Sequence, residues 1–536
     1  MKQLLKNIHI AKIVILISSV FLLSSCEDYL KDELLSDTSV DFLYGSPEGL
    51  ESALVGLYTI PREIYQNRGE NGSFPIILQA KSDLAAGITG EISLYSRLAW
   101  GAFVGDHGTE WGQSFYWIDN YKIVDRANAI IKGAENTQFD DEAQKNKILA
   151  EAKCMRANAF FTLYRLFNNI YVNTEPTTPE NAFYRPEQPS TKAEIFTLLK
   201  SDLDFAIANL DWTTSDFGRW TQASARHLRA KVALWEDDWT EAAAQADAVI
   251  TNGSYNLLAN TKDVFSGNLD HSETLLAIQF ERDVIGGGTY NFINWNLVPS
   301  YHSAPGMIRT VENGGSGAGF LVMNNYLIDL LKEDPNDDRD DRSYYISEYP
   351  YNNPETLPAD KTLGEPLDQY DEFSGDRTEF TNYYRRQNPS CIKFLDETAD
   401  PTDRNHYKNI MVFRLAETYL IGSEAHMRLG NDTKALEYLN AIRERAHCAP
   451  KATISQEIIL EEHARELAFE GHRWYTLKRM GVLLSYLQDH MGSAVWNATY
   501  TVGDPRLRIE EHMKNWAIPQ TQLELLGPNY PQNDGY

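Results

Sequence analysis

Three kinds of residue in this 536-residue chain have types and spacings that could do chemistry. The first is a thiol. Leu23-Ser24-Ser25-Cys26 fits a bacterial lipobox, in which small residues let a signal peptidase reach the backbone and the Cys26 sulfur becomes the lipid attachment point. The second is a set of acid–base groups, Glu466, Glu470 and His472, near the C-terminus. Such groups could move protons, but their setting argues for scaffold. Leu460, Ala464, Leu467, Gly471 and Trp474 recur at alternating steps of four and three across Ile459–Gly481, which predicts one face of an amphipathic helix. Glu461 with Arg465, and Glu470 with Arg473, have the spacing to pair along its charged flank. No catalytic residue is assigned.

The third kind is aromatic residues in loops. Sugars present flat C–H faces and many hydroxyls, so a sugar site needs exposed aromatic platforms beside polar side chains. Aromatic residues make up 12% of the chain, and most must serve the core, so those in loops are the informative ones. Two zones stand out: 81–110, with Tyr95, Trp100 and Phe103, and 286–319, with Tyr290, Trp295 and Tyr301. Trp100 and Trp295 are the expected platforms, and Tyr95 and Tyr301 the secondary contacts. Asn296, Asp83 and Arg309 are the expected hydrogen-bonding partners.

Helical periodicity elsewhere describes what must hold these loops. Helices are predicted over 147–167, 191–210 and 111–132, with Thr191 and Glu194 forming a capping box. Two helical hairpins follow, 223–250 across Glu236–Trp239 and 410–445 across Gly430–Asp432. They align without gaps at an offset of 193, and Ala230 with Ser423 and Ala242 with Ala435 are small enough for close helix contact. That is the logic of tetratricopeptide repeats, which stack because none buries its apolar face alone. Between them, about 252–408 is rich in Gly, Pro, Asn, Asp and Tyr, with one helical run near 320–332. A structureless loop of that length is improbable, so an irregular lobe packed on the scaffold is expected.

The N-terminus sets the compartment. Lys2, Lys6 and Lys12 precede an apolar run, Ile13–Leu23, of export length and too short to span a bilayer. Removal of residues 1–25 shifts the formal charge from -27 to -30. Such a surface repels polyanions, so nucleic acid is a poor partner, and an acidic glycan would need a local basic pocket. Of four cysteines, the three beyond Cys26 have neither disulfide nor zinc spacing, and Cys154 and Cys448 read as buried fillers. The glycine runs 286–288 and 314–317 precede no Lys-Ser/Thr helix start, and HExxH and GxSxG are missing. The acidic run Glu333–Asp341 could attract calcium but lacks the glycine and final glutamate of an EF-hand loop, so no cofactor is expected.

Six blocks resemble the SusD/RagB family of surface nutrient-binding lipoproteins of Bacteroidetes. They are Cys26–Leu30 with its C-x-D-x-L start, Ile148–Phe167, Gly218–Ile250, Val412–Arg445, the RELAFEGHRW and LKR words of Ile459–Gly481, and the Trp516–Tyr536 ending. Thr476, Glu462-His463 and Tyr171-Val172 depart from the family pattern at scaffold positions. The resemblance implies a mostly α fold, a tetratricopeptide-like scaffold with a loop-rich lobe. It implies a single domain over 26–536, divided near residue 252, after a signal peptide at 1–25. It also implies a non-catalytic lipoprotein, anchored through Cys26 on the outer face of the outer membrane, that captures glycan for a SusC-like TonB-dependent transporter. The tetratricopeptide side would face the transporter. Peptide capture by the same fold, a surface glycoside hydrolase and a pure assembly scaffold are the alternatives.

Overall fold

Helix α4 (Lys192–Asn209) starts where its cap dictates. The Thr191 backbone N–H donates to Glu194 Oε2 at 2.7 Å and the Glu194 N–H donates to Thr191 Oγ1 at 3.2 Å, the reciprocal capping box expected from the sequence. In this computed structural model, residues 40–66, 75–87, 113–340, 342–367, 386–492, 506 and 509–536 are described. Cys26, Tyr95 and Trp100 lie outside them.

The scaffold is a ladder of packed helices. Helix α1 (Pro47–Tyr65) packs on α2 (Gln113–Asn136), α2 on α3 (Glu142–Phe167), α3 on α4, and α4 on α5 (Gln222–Trp235). Helix α5 turns into α6 (Trp239–Thr251), and α6 packs on α7 (Leu415–Arg428), which turns into α8 (Asp432–Arg445). The hairpins separated by 193 residues in sequence are therefore neighbours in space. Small residues make that approach possible: Ala230, Ala242, Ala246 and Ala425 are all fully buried at the joint. A Cβ on Gly422 would fall 2.8 Å from the Tyr438 ring, so the α7–α8 contact needs glycine there.

The residues between α6 and α7 form the expected irregular lobe, held at its neck by two strands. Strand β2 (Thr274–Ile278) pairs antiparallel with β6 (Ile410–Arg414), from Thr274↔Arg414 to Ile278↔Ile410. The sequence reading put Ile410–Arg414 in the helix; its backbone is claimed instead by the β2 ladder, and α7 begins at Leu415. The run near 320–332 likewise divides into strand β3 (Leu321–Met323) and a helix over Asn325–Lys332 capped by Asn324. Strand β3 pairs with β1 (Ala85–Gly87), and β4 (Tyr345–Ile346) with β5 (Ser390–Cys391).

The C-terminal helix does not run unbroken through Ile459–Gly481. It ends as α9 (Gln456–Leu467) and resumes as α10 (Arg473–Arg479). Phe469 and Gly471, at φ 67° and 91°, lie in the left-handed region between them. The break has a cause. Lys393 Nζ donates to the carbonyls of Glu466 and Ala468, at 2.7 and 3.1 Å, and Arg414 Nη2 donates to the Glu466 carbonyl at 2.8 Å. Cations from two remote segments take the carbonyls at the end of α9, where the helix dipole favours them.

The charged flank is not a solvated face either. Glu462 and Glu466 are fully buried. Glu466 Oε1 accepts from Arg414 at 2.7 Å and from Arg445, and Oε2 accepts from Arg339 at 3.1 Å. Glu462 accepts from Arg339 at 2.8 Å and Arg443 at 2.6 Å. Glu470 pairs with Arg414 and Lys393, whereas Arg473 pairs with Asp83, so the expected Glu470–Arg473 pair gives way to longer-range partners. The expected Glu461–Arg465 pair does form, at 3.7 Å. Two departures from the family pattern are partners: Thr476 Oγ1 lies 3.1 Å from His463 Nε2. Burial, with the charge of Arg473 next, holds the His463 imidazole neutral, so this contact is an uncharged hydrogen bond.

Removing one member of a buried ion pair strands the other, at a cost of about 3–5 kcal/mol. Glu466→Ala is expected to lower the urea-unfolding free energy by that order; a loss under ~1 kcal/mol would contradict the central role of Glu466. Burial opposes ionisation of Glu466, yet the guanidinium of Arg445, then those of Arg414 and Arg339, hold its pKa well below the ordinary value. A depressed folded-state pKa gives stability that is present in full above the unfolded value of about 4.3 and is lost as pH falls through the folded one. Thermal melts are therefore expected to show a Glu466-dependent loss only below about pH 4, missing in Glu466→Gln.

Candidate functional site

Trp295 sits on a one-turn helix, Ile293–Leu297, that is fixed from behind. The backbones of Asn291 and His406 bridge, and Asn291 Nδ2 donates to the His406 carbonyl at 3.3 Å. The Ala318 N–H donates to the Trp295 carbonyl at 2.8 Å, which ties the glycine-rich segment against the turn. The indole remains partly exposed.

Around it lies a cluster of rings. The Phe320 ring meets Trp295 edge-on at 5.1 Å, Phe292 is tilted at 5.5 Å, and Tyr290 lies 5.0 Å from Phe292. The exposed Arg404 places its guanidinium 5.1 Å from the Phe292 centroid and 5.8 Å from that of Trp295. A partly exposed indole bounded by rings and a guanidinium offers an apolar face together with hydrogen-bond donors. Arg404 and Phe320 were not singled out by sequence. Arg404 lies more than a hundred residues beyond Trp295, in a turn rich in Asp and Thr, and nothing in its local pattern links the two.

Strand β1, inside the first loop zone, pairs with β3, which follows the second. Gly87, the last described residue before residues 88–112, pairs with Leu321, the neighbour of Phe320.

The other expected contacts have different places. Tyr301 is fully buried, stacked on Tyr349 at 5.1 Å, with its hydroxyl donating to the Gly315 carbonyl at 2.8 Å. It clasps the 301–315 loop from inside, which corrects its reading as a surface contact. Asp83 is also buried, and Arg473 grips its carboxylate at 2.9 and 2.7 Å; it serves to anchor α10. Asn296 is fully buried behind Trp295, its backbone carbonyl accepting from Phe320 at 3.0 Å and its side-chain amide unpartnered among the described residues. Arg309 Nη2 lies 2.5 Å from His302 Nε2. Burial, with Arg309 beside it, pushes the His302 imidazole down to about 4, so His302 accepts as a neutral ring. Among the described residues, no hydrogen bond, ion pair or ring contact joins Arg309 to the Trp295 cluster.

The acid–base groups near the C-terminus are committed to the interior. Glu466 and Glu470 are held by arginines, and burial pushes His472 down to about 3. The acids of Glu333–Asp340 are likewise engaged: Asp337 by Arg339, Glu333 by Arg465, and Asp334 by the Ala449 N–H. Among the described residues, no group of three His, Cys, Asp or Glu side chains is placed to hold a metal ion. Cys154, Cys391 and Cys448 are buried free thiols.

Comparison with known proteins agrees with this architecture. The SusD family model matches residues 272–536. The SusD-like protein P25 of Formosa agariphila is 26% identical over 98% of this chain and 99% of its own. The starch-binding protein SusD of Bacteroides thetaiotaomicron is 24% identical over 75% of this chain and 77% of its own. A solved laminarin-binding SusD-like protein superposes with a TM-score of 0.70 at 25% identity, covering 92% of this chain and all of that one. The chain belongs to the SusD family, whose members are non-catalytic glycan-binding proteins.

Proposed function

We propose that this protein captures an oligo- or polysaccharide at the cell surface and passes it to a SusC-like TonB-dependent transporter. The observation that carries the reading is the Trp295 cluster: a partly exposed indole, flanking rings and the Arg404 guanidinium, on a backbone fixed by Asn291 and Ala318. Trp100 and Tyr95 would add the second platform. Rigid platforms suit sugars, because the ordering cost of the protein is met during folding rather than at binding. The names of two relatives, one starch-binding and one laminarin-binding, favour a glycan over a peptide. The ligand enters against Trp295, with Arg404 donating to its hydroxyls.

Acylation of Cys26 would anchor the chain to the outer membrane, leaving the binding surface toward the exterior. More than one acyl chain gives firm attachment where one does not. The helical ladder is then the rigid spacer between anchor, ligand surface and transporter.

Affinity gels cast with a panel of neutral polysaccharides should retard the wild-type protein on at least one glycan, without release of reducing sugar. Trp295→Ala and Trp100→Ala should each weaken that retention about tenfold or more, some 1.4 kcal/mol. Unaltered retention in both variants would remove the site assignment. In cells fed radiolabelled palmitate, the wild-type protein should take up label and Cys26→Ala should not; labelling of the variant would exclude Cys26 as the anchor.

A further inference from the structure

A cavity of about 800 Å3 opens among α1, α2, α3 and the strand β2. None of Tyr290, Phe292, Trp295, Phe320 or Arg404 lines it, so it is distinct from the Trp295 cluster. Its walls include Leu78, Ile123, Met155 and Phe413. Into this largely apolar space projects Arg165 of α3, itself 6% exposed.

Arg165 is an exception in this molecule. Every other buried arginine among the described residues pairs with a carboxylate: Arg156, Arg229, Arg339, Arg414, Arg443, Arg445, Arg465 and Arg473. Arg165 lies instead between two rings, 4.1 Å from the Phe161 centroid and 3.9 Å from that of Tyr475. Its Nε donates to the Phe161 carbonyl at 3.2 Å and its Nη2 to Thr162 Oγ1 at 3.3 Å. Glu417 acts on it through space, but Lys231 and His227 hold both carboxylate oxygens, at 2.5 and 2.9 Å. Glu470, also at the cavity wall, is taken by Arg414 and Lys393.

Three phenols share the cavity with it. Tyr65, Tyr116 and Tyr475 come from α1, α2 and α10 and line the same space. Their hydroxyls make no hydrogen bond among the described residues, whereas those of Tyr58, Tyr301, Tyr344 and Tyr345 all do. Burial pushes the Tyr475 phenol up to about 12 against the pull of Arg165, and it raises Tyr65 and Tyr116 further. At neutral pH all three are O–H groups able to donate. Arg165 Nη1 and three hydroxyls, none of them with a protein acceptor among the described residues, face one cavity and define a site suited to an acceptor with charge.

We propose that this cavity is a second binding site, for a short ligand bearing one oxyanion, a carboxylate or a sulfate, set against Arg165 and the three phenols. The end of the planar guanidinium, Nη1 with the second N–H of Nη2, can meet such an oxyanion with paired donors. The apolar walls take the body of the ligand, and the volume suits one or two sugar rings or a comparable small acid. The chain's formal charge of -27 repels long polyanions, which restricts the site to short acids. The proposal does not depend on the Trp295 reading.

Calorimetric titration of the full-length protein in detergent tests it, with glucuronate, galactose 6-sulfate and glucose as probes. At least one acidic probe should saturate at concentrations where glucose gives no heat. Arg165→Gln should weaken that binding tenfold or more, and Tyr116→Phe and Tyr475→Phe threefold or more each. Trp295→Ala should leave these isotherms unchanged. The stronger of the two acidic probes identifies the oxyanion as carboxylate or sulfate. Equal binding of glucose, silence from both acids, or full binding by Tyr116→Phe and Tyr475→Phe together would overturn the proposal. The phenylalanine variants keep the packing, so they decide the matter even if Arg165→Gln fails to fold.

Discussion

The carboxylate of Glu466 has nowhere to go but toward arginine. It is fully buried, and a buried charge without partners is far costlier than any single packing defect. Arg339 from the lobe, Arg414 from the neck strand β6 and Arg445 from α8 must all arrive for α9 to fold where it does. The hydroxyl of Tyr344, 3.1 Å from Glu466 Oε1, adds the start of β4 to the same centre. Replacing such a network by apolar residues would cost little in stability, so its weight lies in register. It fixes which segments of a long, irregular chain meet.

That constraint reaches the binding surfaces through a few steps. Lys393 takes two carbonyls at the end of α9 and lies two residues beyond strand β5, which pairs with β4. The backbone turn that Lys393 and Arg414 stabilise sets the direction of α10. Along α10, Arg473 reaches Asp83 just before β1, and β1 pairs with β3 next to Phe320 and Trp295. The same turn aims Tyr475 into the cavity with Arg165. Both surfaces therefore inherit their geometry from one ionic centre, although neither uses it for binding.

Local signals in the sequence were sufficient for the scaffold. The capping box at Thr191, the hairpin turns and the small residues at Ala230, Ala242, Ser423 and Ala435 act over a few residues or through a repeat, and the structure follows them. What escaped depends on partners far along the chain. The spacing of Leu460, Ala464, Leu467 and Trp474 is helical, and all four are buried, yet the helix breaks because Lys393 and Arg414 capture its carbonyls. Tyr301 and Asp83 look like loop polar groups until the Gly315 carbonyl and Arg473 are brought to them. Of the expected ligand contacts within the described residues, Trp295 alone sits partly exposed in an aromatic cluster. Arg404 shows why the remainder was hidden: its place over Phe292 is a product of the fold, with no local signature.

The packing of α6 directly on α7 has a further meaning. The lobe between them leaves and re-enters the ladder at nearly the same point, closed by the β2–β6 ribbon. Lengthening such a closed excursion costs little, because loop-closure entropy grows only with the logarithm of its length. The chain is thus organised as a continuous spine with a variable face pinned to it at the Glu466 centre. Insertions, deletions and aromatic exchanges in the lobe that spare Arg339, Tyr344 and Lys393 leave the rungs in step, so one inherited frame can drift toward new ligands while its ionic centre stands still.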